Sequence, residues 1–510
     1  MKKVNELNDL NAKQWLINTK SVWKSSDYHL DNKDRKNIRY IRNLLLFFTK
    51  KNNLILNPDN DPDIKAIGER VGRIILPKTE DKVDFIIMNY QKNFSNLTHY
   101  KEFFVSNEQK SKFNQYHKIL REKKYLCIVV RDFYLQDNSQ LILYHYDLAS
   151  LIRNFGFNLK GLTIWIPEGS HKRATIYNND PNNSILNSYI LIFRKENEQK
   201  SPIEEKLLTF KLNYDEKRKL FQGTLYHKSY LKSISPPRDE YKAHHPATFP
   251  EPDIKNLIKF FTDITKNPKI LDPFSGVGSS LIACLELNIE GFGIELTKKW
   301  IDLTKQRFFK RSAPIIINGE MLSPHNIPVS SFLEYDLNKK AMIQKLQQGD
   351  AIEKTKSFPD NHFDFIITSP PYWGILSKKI DHKTKKERVD HGFETKYSIE
   401  GEDVTFYKDL ANIDSYKKFL IKLKIIYENC YRILKNNNYI AVIVSDFRHG
   451  PNFYQYHGDT ANILKISGFK LTGLTVLHQD SKNLYPYGYP YSFVSNIHHQ
   501  FIIIAKKEEN

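Results

Sequence analysis

The sequence predicts an α/β protein built from two tandem copies of one module, of which the first copy is degenerate. Three observations support this prediction: the length of 510 residues, segments that match each other in order, and a glycine-rich turn between two predicted strands. A chain of this length is too long for one ordinary domain, so two domains are expected. Apolar residues make up 40% of the chain, which is enough for a sizeable core in each domain.

The matching segments recur at a nearly constant spacing along the chain. Three of the matched pairs are DFIIMNY (84–90) with DFIITSPPY (364–372), GFNLKGLTI (156–164) with GFKLTGLTV (468–476), and YILIFRK (189–195) with FIIIAKK (501–507). Strands of similar composition can resemble each other by chance, but here the order and the spacing persist over a long span. We therefore predict a first module over residues 1–200 and a second module over residues 201–510.

The two copies differ at the places where a parallel sheet would bind a ligand. The segment from Pro58 to Asp84 in the first copy is much shorter than the segment from Pro273 to Asp364 in the second. The first copy therefore lacks room for a helix and two strands after its first strand. It also has MNYQKN where the second copy has TSPPYW. We expect the first module to be catalytically inactive.

The charge of the chain indicates the kind of partner that it binds, and its cysteine content argues against two kinds of cysteine-based structure. Lys and Arg number 77 against 58 Asp and Glu, a net charge of +19. Such a surplus favours a polyanionic partner, although a generally lysine-rich proteome would give the same surplus. Cys127, Cys284 and Cys430 have no CxxC spacing, which argues against a disulfide scaffold or a cysteine-rich metal site. Without an apolar signal or a long apolar stretch, a cytoplasmic protein with no metal and no membrane partner is expected.

The segment KILDPFSGVGSSLIACLELNIEGFGIEL (269–296) predicts a strand, a glycine loop, a helix and a second strand. Gly276 and Gly278 let the backbone turn sharply and approach a ligand, and the helix N-terminus offers N–H groups to a carboxylate. Glu295 ends the second strand, where a carboxylate can accept both ribose hydroxyls of a nucleoside. Gly349 and Asp350 precede another predicted strand, and Asp350 is a candidate contact for adenine. Tight turns in cores also use glycine, but the combination predicts a nucleoside-cofactor site.

The segment HFDFIITSPPYWG (362–374) predicts a buried strand that stops at a loop stiffened by two prolines. That loop lies at the carboxyl edge of the sheet, where open α/β sheets bind ligands. The Ser369 hydroxyl and the Pro370 carbonyl can each accept one N–H of an exocyclic amine and so orient its lone pair. Tyr372 offers a flat face for a base that has left the duplex. The structural alternative is a rigid, aromatic-capped turn.

Together these segments resemble the DNA amino-methyltransferases, the family that acts on N4 of cytosine or N6 of adenine. DPFSGVG is similar to the cofactor loop of the family, TSPPYW to its catalytic loop, and HPATFP (245–250) to its cofactor-covering segment. The resemblance implies Rossmann-like modules that depend on S-adenosylmethionine. The implied cofactor contacts are Phe249, Asp272, Phe274, Ser275, Gly276, Gly278, Glu295 and Asp350. The implied contacts of the target base are Ser369, Pro370, Pro371 and Tyr372.

A serine at the first position of the catalytic loop is more usual in the enzymes that act on cytosine. The resemblance therefore implies a site-specific methyltransferase acting on N4 of cytosine in double-stranded DNA. N6 of adenine, RNA as the substrate and a non-catalytic DNA-binding subunit are the alternatives. A restriction-modification system would add a cognate restriction endonuclease as a partner, and the sequence leaves its existence open.

Three further features bear on this resemblance. Family members with HPATFP usually carry the catalytic loop before the cofactor loop, whereas the intact loop here follows it. A duplication in which the leading catalytic loop decayed would explain the order. An insertion within residues 375–425 is rich in basic residues, and either contacts DNA or is a solvated loop. The aromatic segment YPYGYPYSF (485–493) either walls the flipped base, stacks on DNA or is a rigid loop that packs on its own module.

Overall fold

The computed structural model divides the chain into two compact units. It describes residues 5, 7–24, 39–91, 94, 96–135, 140–167, 185, 187–196, 230–233, 249–311, 316–317, 320–321, 344–374, 409–480, 482 and 484–509. Unit 1 comprises Met1–Leu231, Asp446–Gln455 and His478–His499, and unit 2 comprises Lys232–Ser445, Tyr456–Leu477 and Gln500–Asn510. Unit 1 thus includes residues 446–455 and 478–499, which belong to the predicted second module, and the division predicted at residue 200 stays a prediction.

Unit 1 contains a seven-stranded mixed sheet with the order β1-β8-β9-β5-β4-β2-β3. The strands within residues 1–200 of the chain are β1 (Val22–Lys24), β2 (Leu54–Leu56), β3 (Ile74–Leu76), β4 (Val83–Asn89), β5 (Leu120–Val130), β6 (Phe133–Tyr134), β7 (Leu141–Ile142), β8 (Phe157–Ile166) and β9 (Ser188–Lys195). The helices are α1 (Ala12–Asn18), α2 (Arg39–Phe48), α3 (Pro62–Arg70), α4 (Leu97–Val105), α5 (Asn107–Ile119) and α6 (Tyr144–Arg153). Strand β9 runs antiparallel to both of its neighbours, whereas β2, β3, β4 and β5 are parallel. The parallel central strands are apolar because both faces of such a sheet are covered.

The eight-stranded sheet has the order β10-β20-β21-β17-β16-β11-β12-β15. The later strands are β10 (Tyr230–Lys232), β11 (Lys269–Asp272), β12 (Glu290–Glu295), β13 (Ile316–Ile317), β14 (Glu320–Met321), β15 (Gln344–Gln348), β16 (Phe363–Thr368), β17 (Leu434–Val444), β18 (Phe447–His449), β19 (Asn452–Tyr454), β20 (Lys470–His478) and β21 (His499–Lys506). The helices are α7 (Glu251–Phe261), α8 (Ser279–Leu287), α9 (Lys298–Arg311), α10 (Ala351–Ser357), α11 (Tyr416–Ile433) and α12 (Tyr456–Ile466). Short 3-10 turns lie at Ile264–Lys266 and Leu410–Asn412.

The two sheets share one strand order, position by position, and the larger sheet adds β15 at one end. In both sheets a central strand has an antiparallel neighbour: β9 runs antiparallel to β5, and β21 runs antiparallel to β17. The predicted α/β fold with two Rossmann-like modules is therefore confirmed. The shared order agrees with a duplication, which stays a prediction.

The segment between Pro58 and Asp84 accounts for most of the difference between the two sheets. It holds one helix, α3, and one short strand, β3, in unit 1. The matching segment of unit 2 holds α8, β12, α9, the β13–β14 hairpin, β15 and α10. The expectation that the first copy lacks room for a helix and two strands is therefore wrong in part, because residues 58–84 hold one helix and one strand, and only a counterpart of β15 is missing from its sheet.

The aromatic segment 485–493 packs within unit 1. The Phe493 side chain is 2% exposed, and its ring centroid lies 5.7 Å from that of Phe47 and 5.6 Å from that of Phe48. The Phe493 N–H donates to the hydroxyl of Tyr125 at 3.0 Å. Trp15 donates its indole N–H to the carbonyl of Tyr487 at 3.3 Å. The expectation that this segment packs on the second module is wrong, because its buried Phe493 side chain belongs to the core of unit 1.

Two further properties hold for the part of the chain that the structure describes. No helix there is both long and apolar enough to cross a membrane. No group of three or more His, Cys, Asp or Glu side chains there could hold a metal ion. Cys127, Cys284 and Cys430 are buried and are not joined in disulfides.

Candidate active site

The cofactor motif and the catalytic motif lie at the same edge of the sheet of unit 2. Strands β11 and β16 are parallel neighbours, with Leu271 opposite Ile366. Each strand ends two residues or fewer beyond this pair, at Asp272 and at Thr368. The Thr368 hydroxyl donates a hydrogen bond of 2.7 Å to Asp272 Oδ1. The glycine loop and the SPPY loop therefore begin from two side chains in direct contact.

Asp272 holds three groups of this edge together. Besides Thr368, it accepts the Phe274 N–H at 3.0 Å and the Ser280 hydroxyl at 2.6 Å. The side chain is 7% exposed, and burial raises the pKa of its carboxyl against the lowering effect of the Ser280 and Thr368 hydrogen bonds. Both carboxyl oxygens accept hydrogen bonds from the protein. Asp272 therefore positions the loops, and a direct contact with the cofactor stays a prediction.

The glycine loop owes its shape to two residues in left-handed backbone conformations, Gly276 with φ of 52° and Gly278 with φ of 72°. A Cβ atom at Gly278 would lie 2.3 Å from Thr304 Cγ2, so packing as well as φ requires glycine there. Ser275 donates both its N–H and its hydroxyl to the carbonyl of Ile294, at 2.9 and 3.2 Å. Gly278 is the N-cap of α8 and provides no side-chain cap. The first turn of α8 thus offers N–H groups and a positive dipole end to an anion.

Glu295 ends β12 next to this loop. Its carboxyl accepts the Gly276 N–H at 2.9 Å and the Thr297 N–H at 2.8 Å. Burial raises the pKa of Glu295 to about 8, against the two backbone hydrogen bonds and with the charges of Asp409 and Asp272 adding to the rise. The sequence motifs did not indicate Asp409, because it is remote from both of them in the chain.

The raised pKa predicts pH-dependent binding of a nucleoside at Glu295. With a pKa of about 8, the carboxyl is mostly neutral at lower pH and mostly charged at higher pH, and the charged form is the better acceptor for two ribose hydroxyls. The affinity for a nucleoside cofactor is therefore expected to increase as the pH rises through about 8. Calorimetric titration from pH 6 to pH 9.5 measures this increase. The Glu295→Gln variant is the control, and an equal pH dependence in that variant would contradict the assignment to Glu295.

Asp350 and Phe249 are two further residues for which the sequence predicts cofactor contacts. Asp350 is the N-cap of α10, and its carboxyl accepts the Ile352 N–H at 2.6 Å. The preceding residue, Gly349, donates its N–H to the carbonyl of Glu295 at 3.0 Å, which ties Asp350 to the end of β12. Phe249 is 8% exposed and lies two residues before α7. The first four residues of HPATFP lie outside the described residues.

The SPPY loop is held at its tyrosine end. The Tyr372 hydroxyl accepts the Ser445 N–H at 3.1 Å, and the Pro371 carbonyl accepts the Tyr456 hydroxyl at 3.2 Å. The rings of Tyr372 and Tyr456 meet edge to face, with centroids 5.8 Å apart. Ser369 is half-buried, just before these contacts. The sequence motifs did not indicate Tyr456, because it lies 85 residues beyond Pro371 in the chain.

A second anchor follows directly after the loop. Trp373 donates its indole N–H to the carbonyl of Ile413 at 2.6 Å, and Gly374 donates its N–H to the carbonyl of Ala411 at 3.0 Å. Asp409 caps the 3-10 turn that carries Ala411. The SPPY loop is therefore fixed on both sides, which favours a stable arrangement of Ser369 and Pro370. Of the predicted insertion 375–425, residues 375–408 lie outside the described residues.

The corresponding edge of unit 1 is arranged differently. Asp61 is the N-cap of α3, and its carboxyl accepts N–H groups of Asp63 and Ile64 at 2.9 and 3.2 Å. The same carboxyl accepts the side-chain amide of Asn89, which ends β4, at 3.1 Å. Tyr90 follows and is 3% exposed, with its hydroxyl donating to Gln109 at 2.5 Å. In unit 1 a carboxylate of the chain itself thus occupies the helix N-terminus, and the tyrosine ring is buried.

A protein-family model described as DNA methylase matches residues 89–306 of this chain. The match begins at the end of β4, includes the whole glycine loop and Glu295, and stops before the SPPY loop. No curated protein matches the sequence.

Several solved structures resemble parts of the chain. A Thermus thermophilus protein assigned to the DNA modification methylases has 19% identity and a TM-score of 0.21, and the match covers 32% of this chain and 53% of that protein. The chain thus spans about half the length of that protein. A Methanosarcina mazei SAM-dependent methyltransferase has 13% identity, a TM-score of 0.29, and coverage of 50% and 98%. Haemonchus contortus phosphoethanolamine N-methyltransferase 2 has 12% identity, a TM-score of 0.27, and coverage of 92% and 98%.

Proposed function

We propose that unit 2 transfers the methyl group of S-adenosylmethionine to N4 of cytosine in double-stranded DNA, and the match of residues 89–306 to a DNA methylase family model supports this proposal. The observation that carries the proposal is the hydrogen bond between Thr368 and Asp272, which joins the starts of the two loops. A methyl donor held by one loop and an acceptor amine held by the other would then meet at one sheet edge. N6 of adenine is the second candidate target, since the same loop can hold either amine.

The residues near the glycine loop fit the cofactor. The α8 N-terminus has no side-chain cap and suits the carboxylate of the cofactor. Glu295 is a half-buried acid whose pKa is raised mainly by desolvation, and its carboxyl suits the ribose hydroxyls. Asp350 would face the adenine amine and Phe249 would cover the ring. When bound, the cofactor supplies a methyl group activated by a sulfonium.

The SPPY loop would orient the acceptor. The Ser369 hydroxyl and the Pro370 carbonyl would each accept an N–H of the amine and so direct its lone pair out of the base plane. Tyr372 would stack on the base, which must leave the duplex to enter the site. The anchors at Tyr456 and Trp373 support this role, because a fixed loop needs no reorganisation during the reaction. The proton displaced by the methyl group would pass to solvent.

The decisive experiment is transfer of a labelled methyl group from S-adenosylmethionine to mixed-sequence DNA, followed by digestion to nucleosides. The expected labelled product is N4-methyl-2′-deoxycytidine. Label in N6-methyladenine would establish the second candidate and overturn the first. Label in RNA but not in DNA would overturn the DNA assignment, and binding to DNA without transfer would indicate a non-catalytic subunit.

For unit 1 we propose that it binds no S-adenosylmethionine and instead helps to grip DNA. The Asp61 carboxylate at the start of α3 supports the first part, because it would repel the carboxylate of the cofactor. Calorimetry is expected to give one cofactor molecule per chain, and two would contradict the proposal. The net charge of +19 supports a DNA contact, and a steep salt dependence of DNA affinity would test it. A cognate restriction endonuclease stays a prediction.

A further inference from the structure

Two side chains of α9, Thr304 and Arg307, donate hydrogen bonds to backbone carbonyls of the glycine loop. The Thr304 hydroxyl donates to the carbonyl of Gly276 at 3.2 Å, and its methyl group fills the space below Gly278. One turn later, Arg307 donates to the carbonyl of Val277. In a trans peptide the N–H points opposite to the C=O. A Gly276 carbonyl held towards α9 therefore directs the Val277 N–H away from α9.

The same guanidinium reaches a second segment. Arg307 Nη2 lies 2.5 Å from Glu251 Oε1, and the two side chains are 0% and 4% exposed. Glu251 begins α7, two residues after Phe249. One buried arginine thus connects the glycine loop with the segment that carries Phe249. A buried ion pair is a weak source of stability, because removing two charges from water costs about as much as their attraction returns.

We propose that Arg307, assisted by Thr304, is a positioning residue that holds the glycine loop and the Phe249 segment in the geometry that binds S-adenosylmethionine. The proposal rests on the proposed function of unit 2. Only an arginine fits this role, since its planar fork donates in two fixed directions at once, towards Val277 and towards Glu251. A lysine would keep the charge opposite Glu251 but would present a single point of contact.

The test compares cofactor affinity with stability in three variants of the full chain. Arg307→Met removes the cation that faces the buried Glu251 carboxylate, so a lower melting temperature and at least a tenfold higher Kd for S-adenosylmethionine are expected. Arg307→Lys keeps the ion pair, and Glu251→Met/Arg307→Met removes both charges. Both are expected to melt close to the wild type while the Kd stays at least tenfold higher. Isothermal titration with S-adenosylmethionine and thermal denaturation measure the two quantities.

The control is Lys298→Met, which breaks an exposed ion pair with Asp302 on the same helix and should change neither quantity. If either Arg307→Lys or the double variant binds S-adenosylmethionine as tightly as the wild type, Arg307 serves stability alone and the proposal is overturned. A wild-type chain that binds no S-adenosylmethionine would instead refute the proposed function of unit 2. The two failures are therefore distinguishable.

Discussion

Replacing Ser369 by alanine is expected to reduce methyl transfer by about 100-fold or more while the Kd for S-adenosylmethionine stays within about twofold. Loss of one well-placed hydrogen-bonding group in a fixed site costs about 100- to 1,000-fold in turnover. Ser369 lies on the anchored SPPY loop, which follows β16, whereas the glycine loop follows β11. Removing its hydroxyl should therefore affect the amine and spare the cofactor. Single-turnover transfer of labelled methyl measures the effect.

Asn89→Ala is the matched control for this variant. Asn89 ends β4 as Ser369 follows β16, but it belongs to unit 1 and donates to Asp61. Its replacement should leave turnover within about threefold of the wild type, since single surface or edge changes seldom exceed 1 kcal/mol in stability. Near wild-type turnover in Ser369→Ala would end the assignment. A large loss only in Asn89→Ala would move the catalytic loop to unit 1.

Replacing Phe493 by alanine is expected to destabilise unit 1 by about 3–5 kcal/mol, the usual cost of truncating a buried phenylalanine. The ring is 2% exposed and lies between Phe47 and Phe48 of α2, so its removal leaves a cavity that the neighbours cannot easily fill. Denaturant unfolding followed by hydrogen exchange on β4 and β5 would locate the loss in unit 1.

Tyr491→Ala is the control, because Tyr491 lies in the same segment and is 52% exposed. It should change the free energy of unfolding by less than about 0.5 kcal/mol. Equal effects of the two substitutions would show that Phe493 does not belong to the core of unit 1.

Deletion of residues 1–200 would expose the Phe493 side chain to water. A change of DNA specificity in such a truncated chain could therefore not be assigned to lost DNA contacts.

Much of unit 2 near the site follows from local patterns in the sequence. The strand, glycine turn, helix and strand predicted over residues 269–296 correspond to β11, α8 and β12. The strand before SPPY corresponds to β16. Both predictions depend on features that act within a few residues: an apolar run forms the buried strand, and the glycine or proline that follows ends the hydrogen bonding of that strand in the sheet. That the two loops meet follows from parallel strands, whose carboxyl ends share one edge.

Contacts between distant residues left no such pattern. Arg307 and Glu251 are 56 residues apart, and an ion pair over that distance has no characteristic spacing. The aromatic segment that ends at Phe493 predicts burial, but its composition does not specify which core receives it. Asp409 affects Glu295 through space alone. Each of these was therefore found only in the folded chain.

The membership of His478–His499 in unit 1 has a consequence for the order of events during translation. A ribosome releases the N-terminal portion of a protein first, and a domain made of contiguous residues can fold as it emerges. Here Phe493 is synthesised after all of residues 1–492, so nascent unit 1 is expected to leave the apolar surface of Phe47 and Phe48 uncovered until then. A chaperone that shields exposed apolar surface would be expected to associate with the growing chain during that interval.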